Sequence, residues 1–352
     1  MTTKVAILGA GIGQQHLDAF LSLPDLFEVV LIVDKDVQKA QALAALAGCD
    51  VSDDIIASLR NPDIDIIDVC LPPHLHVPVT LEALEAGKHA ICEKPVATNL
   101  ADADLIRQQT LNSGMQFYPV FQYRWGPAIT ALRQLIDLGI AGSPYIASLE
   151  THWTRGDDYY AVDWRGTWAG EQGGAVLGHA IHNHDLLTYI MGPVASVSAV
   201  TGTRVNPIET EDCAAISFEM RNGAMATSSI TLGHARDETR LRFVFESLTA
   251  TSGTEPYAPG IGEWKFVARD QNKQIVIDDV VNASRLTPAG YVGMFSEIAK
   301  DLAGQTNTAV SLQDGYASIE LVAAVYSAAR SGQRVTLPLS KDSPLYSSWA
   351  PE

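Results

Sequence analysis

The sequence predicts an α/β protein: an N-terminal doubly wound parallel sheet, then a C-terminal α+β domain with a large, mostly antiparallel open sheet. Three observations predict it. Short apolar runs at 5–8, 29–33, 64–71 and 89–92 alternate with helical runs through about residue 122, the pattern that builds a parallel sheet. The first run leads straight into Gly9-Ala10-Gly11-Ile12-Gly13 and a helical face of Leu17, Phe20 and Leu21, the strand, glycine turn and helix that cradle a pyrophosphate. Beyond Pro127, runs at 145–152, 194–203, 214–220 and 224–232 read as strands without regular helices between them, which points to antiparallel pairing.

At 352 residues the chain suits two domains, expected at 1–122, a doubly wound nucleotide-binding domain, and 123–352, an α+β domain. A net charge of −17 repels a polyanion, so no nucleic-acid partner is expected. Cysteines 49, 70, 92 and 213 show no C-x-x-C spacing, which argues against a zinc knuckle or disulfide framework. The chain enters a strand almost at once, with no signal-peptide pattern and no run of membrane-spanning length. A cytoplasmic location without membrane attachment is expected.

Element by element, the chemistry gathers where strands end. The glycines Gly9, Gly11 and Gly13 let backbone amides approach a phosphate at the start of the first helix, although Gln14 stands where a strict G-x-G-x-x-G has its last glycine. The second strand ends in Asp34, about twenty residues on, placed to accept from the adenosine ribose hydroxyls and to favour NAD. Lys35 beside it keeps NADP as an alternative, and Asp34 as the N-cap of the helix at 37–47 is the purely structural alternative. The strand at 64–71 leads into Pro72-Pro73-His74-Leu75-His76 and a helix closing at Gly87. The strand at 89–92 then delivers Glu93 and Lys94 to its carboxyl end, where ligands of open α/β sheets sit. A lysine there can donate to an alcohol or carbonyl oxygen. Helices at 101–113 and up to Gly139, a strand at 116–120, and late helices at 291–302 and 314–329 complete the reading.

Several of these motifs together resemble the Gfo/Idh/MocA oxidoreductases: the glycine turn with His16, Pro72-Pro73 with His76, Ala86-Gly87-Lys88-His89 running into Glu93-Lys94-Pro95, Gly173-Gly174 leading to His182 and Asp185, and Gly332-Gln333-Arg334-Val335-Thr336-Leu337-Pro338. The resemblance implies a Rossmann domain that binds NAD or NADP, with Gly9, Gly11, Ile12, Gly13, Asp34, Lys35, Leu71, Pro72, Pro73, His76, Glu93, Lys94, Gln122, Trp164 and Arg165 at the cofactor. It also implies a cis peptide at Lys94-Pro95, Lys94 against nicotinamide and substrate oxygen, His182 as general acid/base, and a homo-oligomer, dimer or tetramer, built through the C-terminal sheet. One departure matters. Sugar and inositol dehydrogenases of the family often carry aspartate four residues before the histidine, and this chain has Gly178. Asp185, His179 or Asp163 would then have to orient His182.

The stretch from Trp153 to Trp168 holds three tryptophans, two tyrosines, carboxylates and arginines. Such a stretch suits a sugar ring, flat faces covering C–H patches and polar groups binding hydroxyls; packing of a loop is the plain alternative. Substrate contacts are expected from Lys94, Arg124, Trp153, Tyr159, Tyr160, Arg165, His179, His182 and Asp185. No metal is expected. Helical spacing would bring His179 and His182 together but turn His184 away, and the family is metal-independent. The resulting expectation is an NAD(P)-dependent dehydrogenase acting on a ring hydroxyl of a sugar, glycoside or cyclic polyol. A redox-assisted lyase or glycosidase that recycles its cofactor and a non-catalytic sugar or nucleotide sensor are the alternatives.

Overall fold

A computed structural model describes residues 2–351, which form two compact units: residues up to Phe121 with 291–319, and 122–290 with the residues from 320 onward. In the first unit, strands β1 (Thr3–Leu8), β2 (Phe27–Val33), β3 (Asp50–Ser52), β4 (Ile66–Val69), β5 (His89–Cys92) and β6 (Phe117–Pro119) make one sheet in the order β3-β2-β1-β4-β5-β6. Every pairing is parallel. Val5, Ile7, Leu8, Ile66, Ile67, Val69 and Ile91 are wholly buried, as strands covered by helices on both faces require, and this is why they read as continuous apolar runs. The crossover helices are punctuated as expected. Asp36 caps Val37–Ala47 by accepting from the Lys39 N–H, and Asn99 caps Leu100–Ser113 by accepting from the Asp102 N–H.

The segment 291–319 differs from the sequence reading, which assigned it to the second domain. Met294, Phe295 and Ile298 in the helix Gly290–Leu302 are buried. The Phe295 ring lies flat on Phe20, centroids 4.0 Å apart, and meets Phe27 edge-on. The chain thus returns to the helix Gly13–Leu21 and β2 to bury an apolar face that hydropathy alone could not address to a particular partner.

The second unit is built on strands β7 (Pro144–Thr154), β8 (Val194–Gly202), β9 (Cys213–Met220), β10 (Met225–Thr231), β11 (Gly233–Phe245), β12 (Leu248–Thr251), β13 (Lys265–Ala268) and β14 (Val335–Thr336), ordered β13-β12-β11-β7-β10-β9-β8-β14. Only β7 and β10 pair in parallel; the other neighbours run antiparallel. Alternation is strict on β9 and β10: Ala214, Ile216, Phe218, Ala226, Ser228 and Ile230 are buried, whereas Ala215, Ser217, Thr227 and Ser229 are exposed. The helix Ile181–Met191 lies on the buried face, where Asn183 Nδ2 donates to Thr151 Oγ1 (2.7 Å) and His184 Nε2 meets Ser228 Oγ (3.0 Å). Among the described residues no helix is long and apolar enough to cross a membrane.

Candidate functional site

In the first unit the parallel order brings the expected nucleotide residues to one sheet edge. The glycine turn ends β1, Asp34 follows β2, Leu71-Pro72-Pro73 follow β4, and Glu93-Lys94 follow β5, on four neighbouring strands that all point the same way. Gly9 has φ +106°, and a Cβ there would meet the Cys70 carbonyl oxygen at 2.3 Å. Gly13 lets the first helix close on Ile7, whose Cγ2 would lie 2.8 Å from a Cβ. At Gly11 nothing lies within 4 Å of a Cβ position. Two glycines therefore serve chain packing, and the third leaves open space beside the start of a helix whose N-cap, Ile12, supplies no side-chain cap. That open space at the start of a helix fits a dinucleotide pyrophosphate, while the Gln14 and Gln15 N–H groups close the first turn on the Gly11 and Ile12 carbonyls (3.2 and 2.9 Å). Asp34 accepts from the Ala10 N–H (2.8 Å) and the Asp36 N–H (2.8 Å), which ties the glycine turn to the end of β2. Its oxygens keep lone pairs for ribose hydroxyls. The N-cap duty weighed for Asp34 falls to Asp36. Lys35 is exposed.

The Lys94-Pro95 peptide is cis, and two buried histidines hold its surroundings. His76 spans backbone, Nδ1 2.7 Å from the Pro95 carbonyl and Nε2 2.6 Å from the Leu71 carbonyl; burial lowers its pKa, and those carbonyls oppose the shift. Its ring nitrogens face the protein's own backbone, so its part at the expected cofactor position is to brace Leu71 and Pro95. His16 sits between carboxylates, Nδ1 2.9 Å from Asp68 and Nε2 3.2 Å from Glu93. Glu93 also accepts from the Tyr291 hydroxyl (3.0 Å) and from the Lys94 N–H (3.0 Å). Burial is the largest single influence on His16 and disfavours its charge, but the attraction and hydrogen bonding of Asp68 and Cys70 together outweigh it and hold the imidazole well above its ordinary pKa. His16, Asp68 and Cys70 lie close enough together to resemble a metal triad. Direct hydrogen bonds account for the cluster, and burial pushes the Cys70 thiol up to about 12, so it stays protonated and a poor ligand.

In the second unit His182 is buried on the first turn of its helix, and the Tyr123 ring stacks on it at 4.4 Å, 20° from parallel. Arg124 and Asp185, both expected at the substrate, bind each other: Nε to Oδ2 2.8 Å and a terminal nitrogen to Oδ1 2.6 Å, with both side chains buried. Asp185 thereby anchors the turn Gln122–Arg124 that carries Tyr123, in addition to sharing a helix with His182. Half-buried Gln122 opens that turn. His179 does not continue the His182 helix; it closes the short helix Ala175–Gly178, and its ring meets Trp153 edge-on at 5.4 Å. His184 points to Ser228, and burial lowers its pKa to about 4.

The aromatic stretch forms a cluster. Trp153, expected at the substrate, is buried and donates to Thr239 Oγ1. Arg155 lies over Trp153 and Tyr159 and pairs with Asp237 at 3.0 Å. Arg165 lies 3.9 Å above the Tyr159 ring and 5.3 Å from that of Trp164. Tyr159 and Tyr160 are half-buried, and Trp164 is exposed. Sequence reasoning missed Tyr123, Tyr291, Tyr257, Asp68 and Glu211. Asp68 was detectable as an acid inside an apolar strand. Glu211 was not: it is buried beneath Gly173-Gly174, accepting from the N–H groups of Gly174 (3.1 Å) and Val176 (3.0 Å) and the Tyr326 hydroxyl (3.0 Å). Burial raises its pKa to about 7 against those donors.

Comparison with known proteins agrees with this architecture. Residues 3–118 match the oxidoreductase family model with an NAD-binding Rossmann fold, and residues 129–250 match the GFO/IDH/MocA C-terminal domain. The chain is 28% identical to the uncharacterized oxidoreductase sll0816 of Synechocystis sp. over 64% of this chain and 65% of that protein. It is 25% identical to D-glucoside 3-dehydrogenase of Escherichia coli over 95% of this chain and 97% of that one. The WlbA dehydrogenase of Bordetella pertussis, solved with NADH and UDP-GlcNAcA, superposes with a TM-score of 0.85 at 28% identity, covering 96% of this chain and 99% of that chain. With the two family models together spanning more than half of it, the chain belongs to the GFO/IDH/MocA family of oxidoreductases, with an NAD-binding Rossmann fold.

Proposed function

We propose that this oxidoreductase is an NAD-dependent dehydrogenase that oxidises a ring hydroxyl of a sugar, glycoside or cyclic polyol, or reduces the matching ketone. The observation that carries the reading is the placement of Lys94 on the same sheet edge as the open glycine turn and Asp34. The bound nicotinamide supplies the hydride acceptor. His182 takes the hydroxyl proton, and Lys94 stabilises the developing alkoxide with its ammonium. Tyr159, Tyr160, Trp164 and the guanidinium of Arg165 offer the flat faces and donors that a polyhydroxylated ring needs. Relatives named for glucosides, levoglucosan and myo-inositol support the substrate class. The exposed small and polar residues of β9 and β10 supply the face for a homo-oligomer in this reading.

The test is turnover of Lys94→Ala with NAD and a panel of sugars, glycosides and polyols. We expect a loss on the order of 10²-fold or more in kcat with NAD binding near normal; unchanged turnover would remove Lys94 from the mechanism. Gly178 in place of the family's aspartate favours one second reading, transient oxidation followed by elimination or hydrolysis with the cofactor regenerated. Product release without net NADH absorbance identifies that case. Asp34→Ala should relax the preference for NAD over NADP, read as the ratio of the two kcat/KM values.

A further inference from the structure

The Glu93-Lys94 turn is held by groups that the mechanism above does not use. His16 is wholly buried, and each of its ring nitrogens faces a carboxylate: Nδ1 faces Asp68, and Nε2 faces Glu93 Oε1. A neutral imidazole carries one N–H, so it could donate to one of these acids and would turn a lone pair toward the other; only an imidazolium satisfies both. The groups facing His16 are Asp68 and Cys70 at the end of β4, Glu93 at the end of β5, and Tyr291 and Phe295 on the helix Gly290–Leu302, whose rings lie 4.5 and 5.4 Å from the imidazole. Glu93 divides its bonds. Oε1 receives His16 and the Tyr291 hydroxyl, while Oε2 receives the backbone N–H of Lys94. A charge-assisted chain therefore runs from Asp68 through His16 and Glu93 to the peptide from which the lysine projects.

We propose that His16 is a positioning residue, held as an imidazolium between Asp68 and Glu93, and that through Glu93 it sets the backbone turn presenting Lys94. The catalytic consequence rests on the dehydrogenase reading; the charge state and the lysine's placement do not. Loss of the chain lets Lys94 drift, and a displacement near 1 Å can cost up to about 10²-fold in rate.

The charge state is read by ¹⁵N NMR of the histidines in the intact protein with NAD bound, the His16 signals being those absent from His16→Gln. At a pH of about 8, where an ordinary histidine is neutral, we expect both His16 nitrogens to remain protonated, and Glu93→Gln to return the ring to a neutral tautomer. A neutral ring in the wild type overturns the proposal. Lysine placement is read by ¹³C-dimethyl labelling, with the Lys94 signal identified by its loss in Lys94→Arg. Glu93→Gln and the near-isosteric Tyr291→Phe should each move that signal, and an unmoved signal in both overturns the positioning role. Where turnover is found, both variants should lower kcat about tenfold while the Kd for NAD stays within about twofold. A loss carried wholly by NAD affinity would make the chain part of the nucleotide cradle instead and would also overturn the proposal.

Discussion

The surroundings of Lys94 and those of His182 are built from opposite materials. Around Lys94 the neighbours are ionic and come from strand ends: Asp68, His16 and Glu93, backed by Tyr291. Against His182 lies an aromatic face, Tyr123, and the ionic pair Arg124–Asp185 holds the turn that presents that face. In the mechanism proposed above the lysine stays cationic to receive an alkoxide, and a chain of alternating charges behind its backbone turn is compatible with that role. In the same mechanism the imidazole gains and loses a proton, and the Tyr123 ring packed on its face would fix its plane while it does so.

The largest test of this contrast breaks the ion pair behind His182. Arg124→Met leaves Asp185 buried without its bidentate partner, and we expect a loss of about 3–5 kcal/mol in unfolding free energy, measured by denaturant titration. Adding Asp185→Leu should return most of it, because an apolar pair of similar volume is often neutral or better. If the single variant loses under about 1 kcal/mol, the pair is not a buried anchor.

Next in size is the pH dependence set by Glu211. Its folded-state pKa, about 7, lies above the ordinary carboxylate value of 4.5. The stability it contributes is therefore fully present below about pH 4.5 and is lost as pH rises through about 7, to the extent of roughly 3 kcal/mol. Thermal unfolding of the wild type should lose this increment between about pH 5 and pH 8, and Glu211→Gln should flatten that part of the profile. His184 acts oppositely: its pKa of about 4 makes stability fall as pH drops below about 6.5.

How far the sequence could be read depended on whether the partner was local. The parallel sheet, the helix caps, the glycine turn and the position of Lys94 at a strand end all follow from patterns spanning a few residues. The return of 291–319 to the first unit does not, because an apolar helix face carries no address until Phe20 is there to stack on Phe295. Arg124 and Asp185 were each legible as special, yet their pairing across 61 residues was not. Asp68 showed itself by standing in an apolar run, whereas Glu211, in a polar segment, gave no sign that it would be buried. Trp153 was singled out as a sugar platform, but it buries its indole against His179 and Tyr257. Composition reports an aromatic cluster without saying which faces stay open.

The smallest effect sharpens the comparison most. Tyr123 is buried and lies nearly parallel to His182, an arrangement worth about 0.5–1.5 kcal/mol beyond the area it covers. Tyr123→Leu keeps an apolar side chain of comparable reach on the turn while removing the ring, so global stability should fall by only about 1 kcal/mol. If the stack orients the imidazole, kcat should fall about tenfold at saturating substrate with KM little changed, and Tyr123→Phe, which retains the ring, should restore it. A carboxylate that oriented His182 in place of the stack would leave kcat of Tyr123→Leu intact. Stability lost in step with activity, without rescue by phenylalanine, would reduce Tyr123 to packing. The ring-retaining variant thus separates the two ways of holding a histidine, by its faces or by its nitrogens.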